Sequence, residues 1–369
     1  MGVQPVVRDA GRAEAEQRRG VRPGGEVSGE VVESTQHRVH TVVPSVRSRR
    51  SSRPALHAAG VAAPLPGILA RLTPVAQAPV YPFGSDNGKI DRVTGSLFAV
   101  SDLHVSYAEN RRIVDGLRPE TADDWLIVAG DVGELFGAVE ETLRQLRDRF
   151  ATVVWVPGNH ELWTHPSDPV TLRGRNRYDA LVRMCRDNGV LTPEDDYPVW
   201  YGEGGPVTVA PLFQLYDYSF RAPGTSTKEE SLRRAYDAGV VCTDEMLLHP
   251  DPYPDRESWC WARLAETERR LAATDPALPT VLVSHWPLVR EPTDVLWYPE
   301  FAQWCGTERT ADWHVRHRAV VAVYGHLHIP RTTHHDGVRF EEVSLGYPRE
   351  WGRRGGEPKP MRRILGVAS

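Results

Sequence analysis

Five short groups of aspartate, asparagine and histidine punctuate this 369-residue chain: Asp102 and His104 in SDLH, Asp131 in AGD, Asn159 and His160 in GNHE, His285 in SHWP, and His326 and His328 in GHLH. Carboxylate, amide and imidazole donors in this mixture suit divalent ions such as Mn²⁺, Fe²⁺ or Zn²⁺. The chemistry that wants so many donors is hydrolysis of a phosphodiester. Such a diester repels nucleophiles with its own negative charge, and its alkoxide leaves reluctantly. Two cations about 3.5 to 4 Å apart neutralise the phosphoryl oxygens and acidify water. Asp102 and His104 can serve one ion and Asn159 and His285 the other. The two oxygens of Asp131 can bridge both ions, which makes Asp131 catalytic as well as ligating, and His326 and His328 complete the set. These last two would face opposite sides of an extended segment, so the turn at Gly325 is expected to bend the backbone.

His160 directly follows a ligand, which leaves its ring free to face the substrate. It is read as the general acid, stabilising or protonating the leaving oxygen for about 10² to 10⁴ in rate. A carboxylate is expected to orient it, with Asp102 and Glu161 both candidates.

The elements that must position these residues are legible as β-type runs ahead of each motif: LFAV, WLIVA, VVWV, TVLV and VVAVY. Five strand ends carrying polar donors at one sheet edge is where open α/β folds place their sites. Any one motif alone recurs by chance; their conjunction carries the reading. Between the strands, Leu135, Phe136, Val139, Leu143 and Leu146 keep helical spacing. RYDALVRMCRDNGV reads as a second helix stopped at Gly189.

These motifs, as DxH, GDxxE, GNHE, a lone His and GHxH, resemble those of the calcineurin-like metallophosphoesterase family. The resemblance implies an α/β fold, a four-layer α/β/β/α sandwich. It implies one metal site from Asp102, His104, Asp131 and His328, and a second from Asp131, Asn159, His285 and His326. One departure matters: the protein Ser/Thr phosphatases of the superfamily carry an Arg after the GDxxD, where this chain reads GDVGELF. Within the family, DDWLIVAGDV, VWVPGNHELWT, LYDYSF, WYPEF, YGHLHIPRTT and DGVRFEEVSLGYPREW look like the actinobacterial phosphopantetheinyl hydrolases, from about residue 96 to 352. That likeness implies holo acyl carrier proteins as substrates, with release of 4′-phosphopantetheine and the apo protein. The alternative is a phosphodiesterase or phosphatase for small nucleotides. A scaffold that has lost the chemistry predicts missing ligands, and here every ligand position is filled.

Length and composition set the frame. The motifs span Asp102 to His328, so one metallophosphoesterase domain is expected over 93–352, with a cap-like insertion at about 214–278 and a flexible tail over 353–369. Residues 1–92, rich in Arg, Pro, Gly and Ser without sustained periodicity, read as a disordered extension. Val93 is a candidate true start from a GTG codon. Mass spectrometry of the native N-terminus tests it, and peptides from Gly20 to Arg71 would sink it.

Positions 1–90 hold 12 basic and 7 acidic residues, so of the total charge of −5 the remainder carries −10. So acidic a body is a poor general binder of nucleic acid. It is also an awkward match for an acidic carrier protein unless a local basic face exists; Arg173, Arg175, Arg177, Arg331 and Arg349 are candidates. Cys185, Cys242, Cys260 and Cys305 are widely spaced without a CxxC pair, as expected of free thiols in a reducing cytoplasm. No run reaches the ~18 to 20 apolar residues of a membrane helix, so no membrane partner is expected. Tyr216, Asp217 and Tyr218, and the cluster Trp297, Tyr298, Phe301 and Trp304, are either pocket walls or core. His165, His249, His314, His317, His334 and His335 are treated as non-ligands.

Overall fold

The computed structural model describes residues 95–355, 358 and 360–366, and the readings of residues 1–92 lie outside them. Among the described residues the strands are β1 (Leu97–Val100), β2 (Trp125–Val128), β3 (Thr152–Trp155), β4 (Val199–Trp200), β5 (Val207–Pro211), β6 (Thr280–Val283), β7 (Ala319–Tyr324), β8 (Arg331–His335), β9 (Val338–Glu342) and β10 (Arg362–Leu365). The helices are α1 (Ala108–Asp115), α2 (Phe136–Arg147), α3 (Asn159–Leu162), α4 (Gly174–Asp187), α5 (Lys228–Asp237), α6 (Asp244–Leu247), α7 (Arg256–Ala272), α8 (Trp313–Arg316) and α9 (Pro348–Arg354).

The strands make two sheets, β10-β1-β2-β3 and β4-β5-β6-β7-β9-β8. In the first, β1, β2 and β3 are parallel and β10 is antiparallel to β1. In the second, β5, β6, β7 and β9 are parallel and the two edge strands antiparallel. Alternation explains how the sheets stack. Leu97, Ala99, Ile127, Ala129 and Val154 of the first sheet share one apolar layer with Val209, Val281, Val283, Val321 and Val323 of the second. The alternate residues Phe98, Val100, Leu126 and Val128 turn outward into the cluster that holds Val139, Leu143 and Leu146 of α2. This is the expected α/β/β/α order. Each fully buried Val or Leu of these layers contributes about 1.5 to 3 kcal/mol.

The sheets meet at their ligand-bearing end. Ser101 pairs with Ser344 in a parallel bridge, with Ser101 N donating to Val343 O at 3.0 Å and Leu345 N to Ser101 O at 2.8 Å.

Two boundaries differ from expectation. Residues 353–369 are not wholly a flexible tail: the RRIL segment is β10, because Ile364 reaches the inter-sheet layer and Arg362 Nη1 donates to Glu341 Oε2 at 2.6 Å. The segment 214–278 is not wholly a cap either. Its α7 is the crossover that the parallel pair β5 and β6 requires, burying Trp259, Leu264 and Leu271. Tyr216 and Tyr218 are buried in the core rather than open to substrate.

Candidate metal centre

Each sequence-derived donor lies just past a strand: Asp102 and His104 after β1, Asp131 after β2, Asn159 after β3, His285 after β6, and His326 and His328 after β7. Three overlapping groups result, Asp102 with His104 and His328, Asp131 with His285 and His326, and His104 with Asp131 and His160, the donor atoms of each within 4.8 Å of one another. Asp102 Oδ1 lies 2.9 Å from His328 Nε2, which lies 3.2 Å from His104 Nε2. On the other side, Asp131 Oδ2 is 3.3 Å from His285 Nε2, and that nitrogen is 3.2 Å from both His326 Nδ1 and Asn159 Oδ1. Asp131 belongs to two of the three groups and so stands between the two halves of the cluster.

The backbone at these positions is unusual. Asp102 (φ 53°), His104 (41°), Asp131 (54°), His326 (70°) and His328 (55°) are all left-handed. Non-glycine residues held there cost about 1 to 3 kcal/mol each and cluster at functional sites. This corrects the expectation for Gly325: His326 and His328 themselves carry the bend. Gly325 is needed for a different reason, since a Cβ there would collide with Ser101 Oγ and Asp102 Oδ2.

The donor set fits a pair of cations. Two pairs of imidazole nitrogens face each other, and each pair can share one proton or direct two lone pairs at an ion. The electrostatics agree. Burial opposes charge on His285 and His328, yet Asp131 lifts His285 to about 9, and Glu350 with Asp102 lifts His328 well above the ordinary histidine value. Burial and the neighbouring His285 push His326 down to about 3. The carboxylates thus favour the charged forms of His285 and His328, protons that a cation would have to displace, while His326 is held neutral, the state in which imidazole ligates.

A profile of the calcineurin-like phosphoesterase family matches residues 96–330. The chain belongs to this family. It is 57% identical over 273 residues to the [acyl-carrier-protein] phosphodiesterase PptH of Mycobacterium tuberculosis, covering 73% of this chain and 83% of that protein. Its fold is similar to the crystal structure of phosphopantetheinyl hydrolase (PptH) from that organism, at 55% identity and a TM-score of 0.72, covering 74% of this chain and 96% of the other. This is a metal-dependent phosphoesterase.

Around the phosphoesterase donors lie contacts that the sequence did not foretell. The carboxylate orienting His160 is Glu134, whose Oε1 is 3.0 Å from Nδ1, and neither Asp102 nor Glu161. Glu161 instead accepts the amides of Asp131, Val132 and Gly158, at 3.0, 2.8 and 3.0 Å, which fixes the loops that carry Asp131 and Asn159. Burial and the charge of Asp131 push its carboxyl up to about 7. Asp102 accepts from Ser344 Oγ at 2.7 Å and from His326 N at 3.0 Å, bonds that span the two sheets. His285 Nδ1 is 2.9 Å from Ala129 O, which aims Nε2 at Asp131. His328 Nδ1 is 2.7 Å from Glu350 Oε2 in α9. Orienting partners of this kind are worth about 10- to 100-fold in metal affinity. Glu350→Ala is accordingly expected to weaken one metal site by about that factor, read by calorimetric titration; unchanged affinity would remove the orienting role.

The remaining candidates divide. Arg177 is buried, donating to Asp168 Oδ2 (2.8 Å), Glu161 O (2.6 Å) and Glu134 O (3.2 Å), and so braces the site from behind. Arg173 and Arg175 pair with Asp251 and Asp179 at the surface, and Arg331 donates to Pro292 O. Only Arg349 of the five is an exposed arginine on the metal side, its guanidinium 5.4 Å from the Tyr347 ring, which itself stacks on His104 at 4.4 Å. Among the aromatics, Phe301 stacks on His326 at 6.0 Å, Trp304 is buried and donates to Glu245, and Trp297 is 72% exposed.

Proposed function

We propose that this chain hydrolyses the phosphodiester joining 4′-phosphopantetheine to a serine of an acyl carrier protein, releasing 4′-phosphopantetheine and the apo protein. The observation that carries this reading is the 57% identity to an [acyl-carrier-protein] phosphodiesterase over 83% of its length. In this reading Asp102, His104, Asp131 and His328 hold one divalent ion and Asp131, Asn159, His285 and His326 the other, with Mn²⁺, Fe²⁺ and Zn²⁺ all suited to the donors. Such ions, when bound, neutralise charge on the phosphoryl oxygens and lower the pKa of water.

The chain's own residues do the rest. Water adds to phosphorus, the bond from phosphorus to the serine oxygen breaks, and that oxygen needs a proton. His160 holds it. With Nδ1 bonded to Glu134, the protonated ring has Nε2 free to donate, and Nε2 already lies on the Asp131 side of the ring, 3.8 Å from Oδ2. Burial alone would lower the His160 pKa, but Asp131 and Glu134 outweigh it and the net shift is upward, the direction that suits a general acid. Trp163 packs against the ring at 3.7 Å and limits its rotation. Phe301 against His326 and the Arg349–Tyr347 pair against His104 flank the donors, and to them we assign contact with the phosphopantetheinyl arm and the carrier surface. We place this activity in the cytoplasm, in keeping with four cysteines that are all unpaired and buried. No helix among the described residues is long and apolar enough to cross a membrane.

The test is Mn²⁺-supplemented incubation with a purified holo acyl carrier protein, followed by intact mass, with bis(p-nitrophenyl) phosphate as a generic diester. Loss of the arm supports the reading. Diester cleavage beside an untouched carrier protein rejects the substrate while retaining the chemistry.

A further inference from the structure

One buried carboxylate near the centre has no place in the chemistry above. Asp244, at the start of α6, is fully buried, and its Oδ1 accepts from Asn159 Nδ2 at 2.9 Å and from Trp163 Nε1 at 2.7 Å. Its Oδ2 is buried without a hydrogen-bond partner. An ionised carboxylate only accepts, whereas an amide has one accepting and one donating end. Asn159 must therefore give its NH₂ to Asp244 and turn its oxygen the other way, where Oδ1 lies 3.2 Å from His285 Nε2. That is the end of an amide that ligates a cation. A flipped amide would aim two N–H groups at the ions.

The segment carrying Asp244 is itself clamped. Arg256 Nη2 donates to Asp244 O at 2.6 Å and Nη1 to Glu245 Oε2 at 3.1 Å, while Thr164 N donates to Leu247 O at 2.9 Å. The second bond held by Asp244, to Trp163, fixes the ring that packs on His160.

We propose that Asp244, on the connection between β5 and β6, is a positioning residue of the metal centre: it turns the Asn159 amide oxygen-first toward the ions and, through Trp163, steadies His160. This rests on the reading of Asn159 as a metal ligand. The segment before α7 thus orients the site from within the fold.

Parent, Asp244→Leu and Asp244→Asn are compared by Mn²⁺ titration calorimetry, elemental analysis, and kcat and KM for bis(p-nitrophenyl) phosphate, with thermal melts to confirm folding. In the Leu variant the affinity for one of two ions falls about 10- to 100-fold, and kcat falls while KM changes little. The Asn variant stays close to the parent, because its carbonyl still accepts both bonds. A folded Leu variant that binds both ions as the parent does overturns the proposal. So does an Asn variant as impaired as Leu, since orientation would then not be the property lost. Should Leu prevent folding, Asp244→Ala is measured in its place against the same outcomes. A parent that holds fewer than two ions overturns the ligand reading of Asn159 instead, and the proposal with it.

Discussion

Asp131→Asn is expected to lower kcat on the order of 10³-fold, because a bridging charge supports several kcal/mol of transition-state stabilisation. Asparagine is the informative substitution for three reasons. It keeps the volume, it tolerates the left-handed backbone at φ 54°, and its oxygen can still accept the His160 amide that Asp131 Oδ1 accepts at 3.0 Å. The measured loss then belongs to charge rather than to shape. Steady-state turnover of the generic diester with parallel elemental analysis reads both effects. More than a tenth of parental kcat with two ions bound would remove Asp131 from the bridge.

The second large effect belongs to His160. His160→Ala should cost about 10² to 10⁴ in kcat with the parent's metal content, and loss of metal would refute the general-acid role. Glu134→Gln should act through the same ring. A general acid works below its pKa, and the Glu134 carboxylate is among the groups that raise the His160 value. Its removal should shift the alkaline limb of the kcat profile to lower pH. In the double variant Glu134→Gln should add nothing beyond His160→Ala, the signature of two groups serving one step. An additional loss would mean that Glu134 works through His104 Nδ1, 3.7 Å from its Oε1.

How much of this was legible depended on whether a residue acts at a strand end or from a distance. The donors were readable because each apolar run is short and stops at a polar group, and β1, β2, β3, β6 and β7 lie where those runs lie. Glu134 and Glu350 sat inside quoted motifs, but spacing does not say which carboxylate faces which ring; Glu161, adjacent to His160, turns to three backbone amides instead. Asp244 left no trace, since it meets Asn159 from 85 residues away. The sequence of GHLH points to a bend and to glycine, the residue that bends most easily, whereas a site with this many contacts can hold histidines in the strained conformation. For β10, four residues with two arginines carry too little pattern to announce a strand; the open edge of β1 supplies the rest.

The donors are divided between the sheets: Asp102, His104, Asp131 and Asn159 follow strands of the first, and His285, His326 and His328 follow strands of the second. On the proposed ligand sets, ions held between them would work as a cross-link between the sheets, and their binding free energy would become folding free energy. Metal supply then governs how much of this protein a cell keeps as well as how fast each copy works. Under metal starvation the chain would be left with its apolar layers and a strained set of loops, and is expected to spend more time open and to be cleared sooner by proteases.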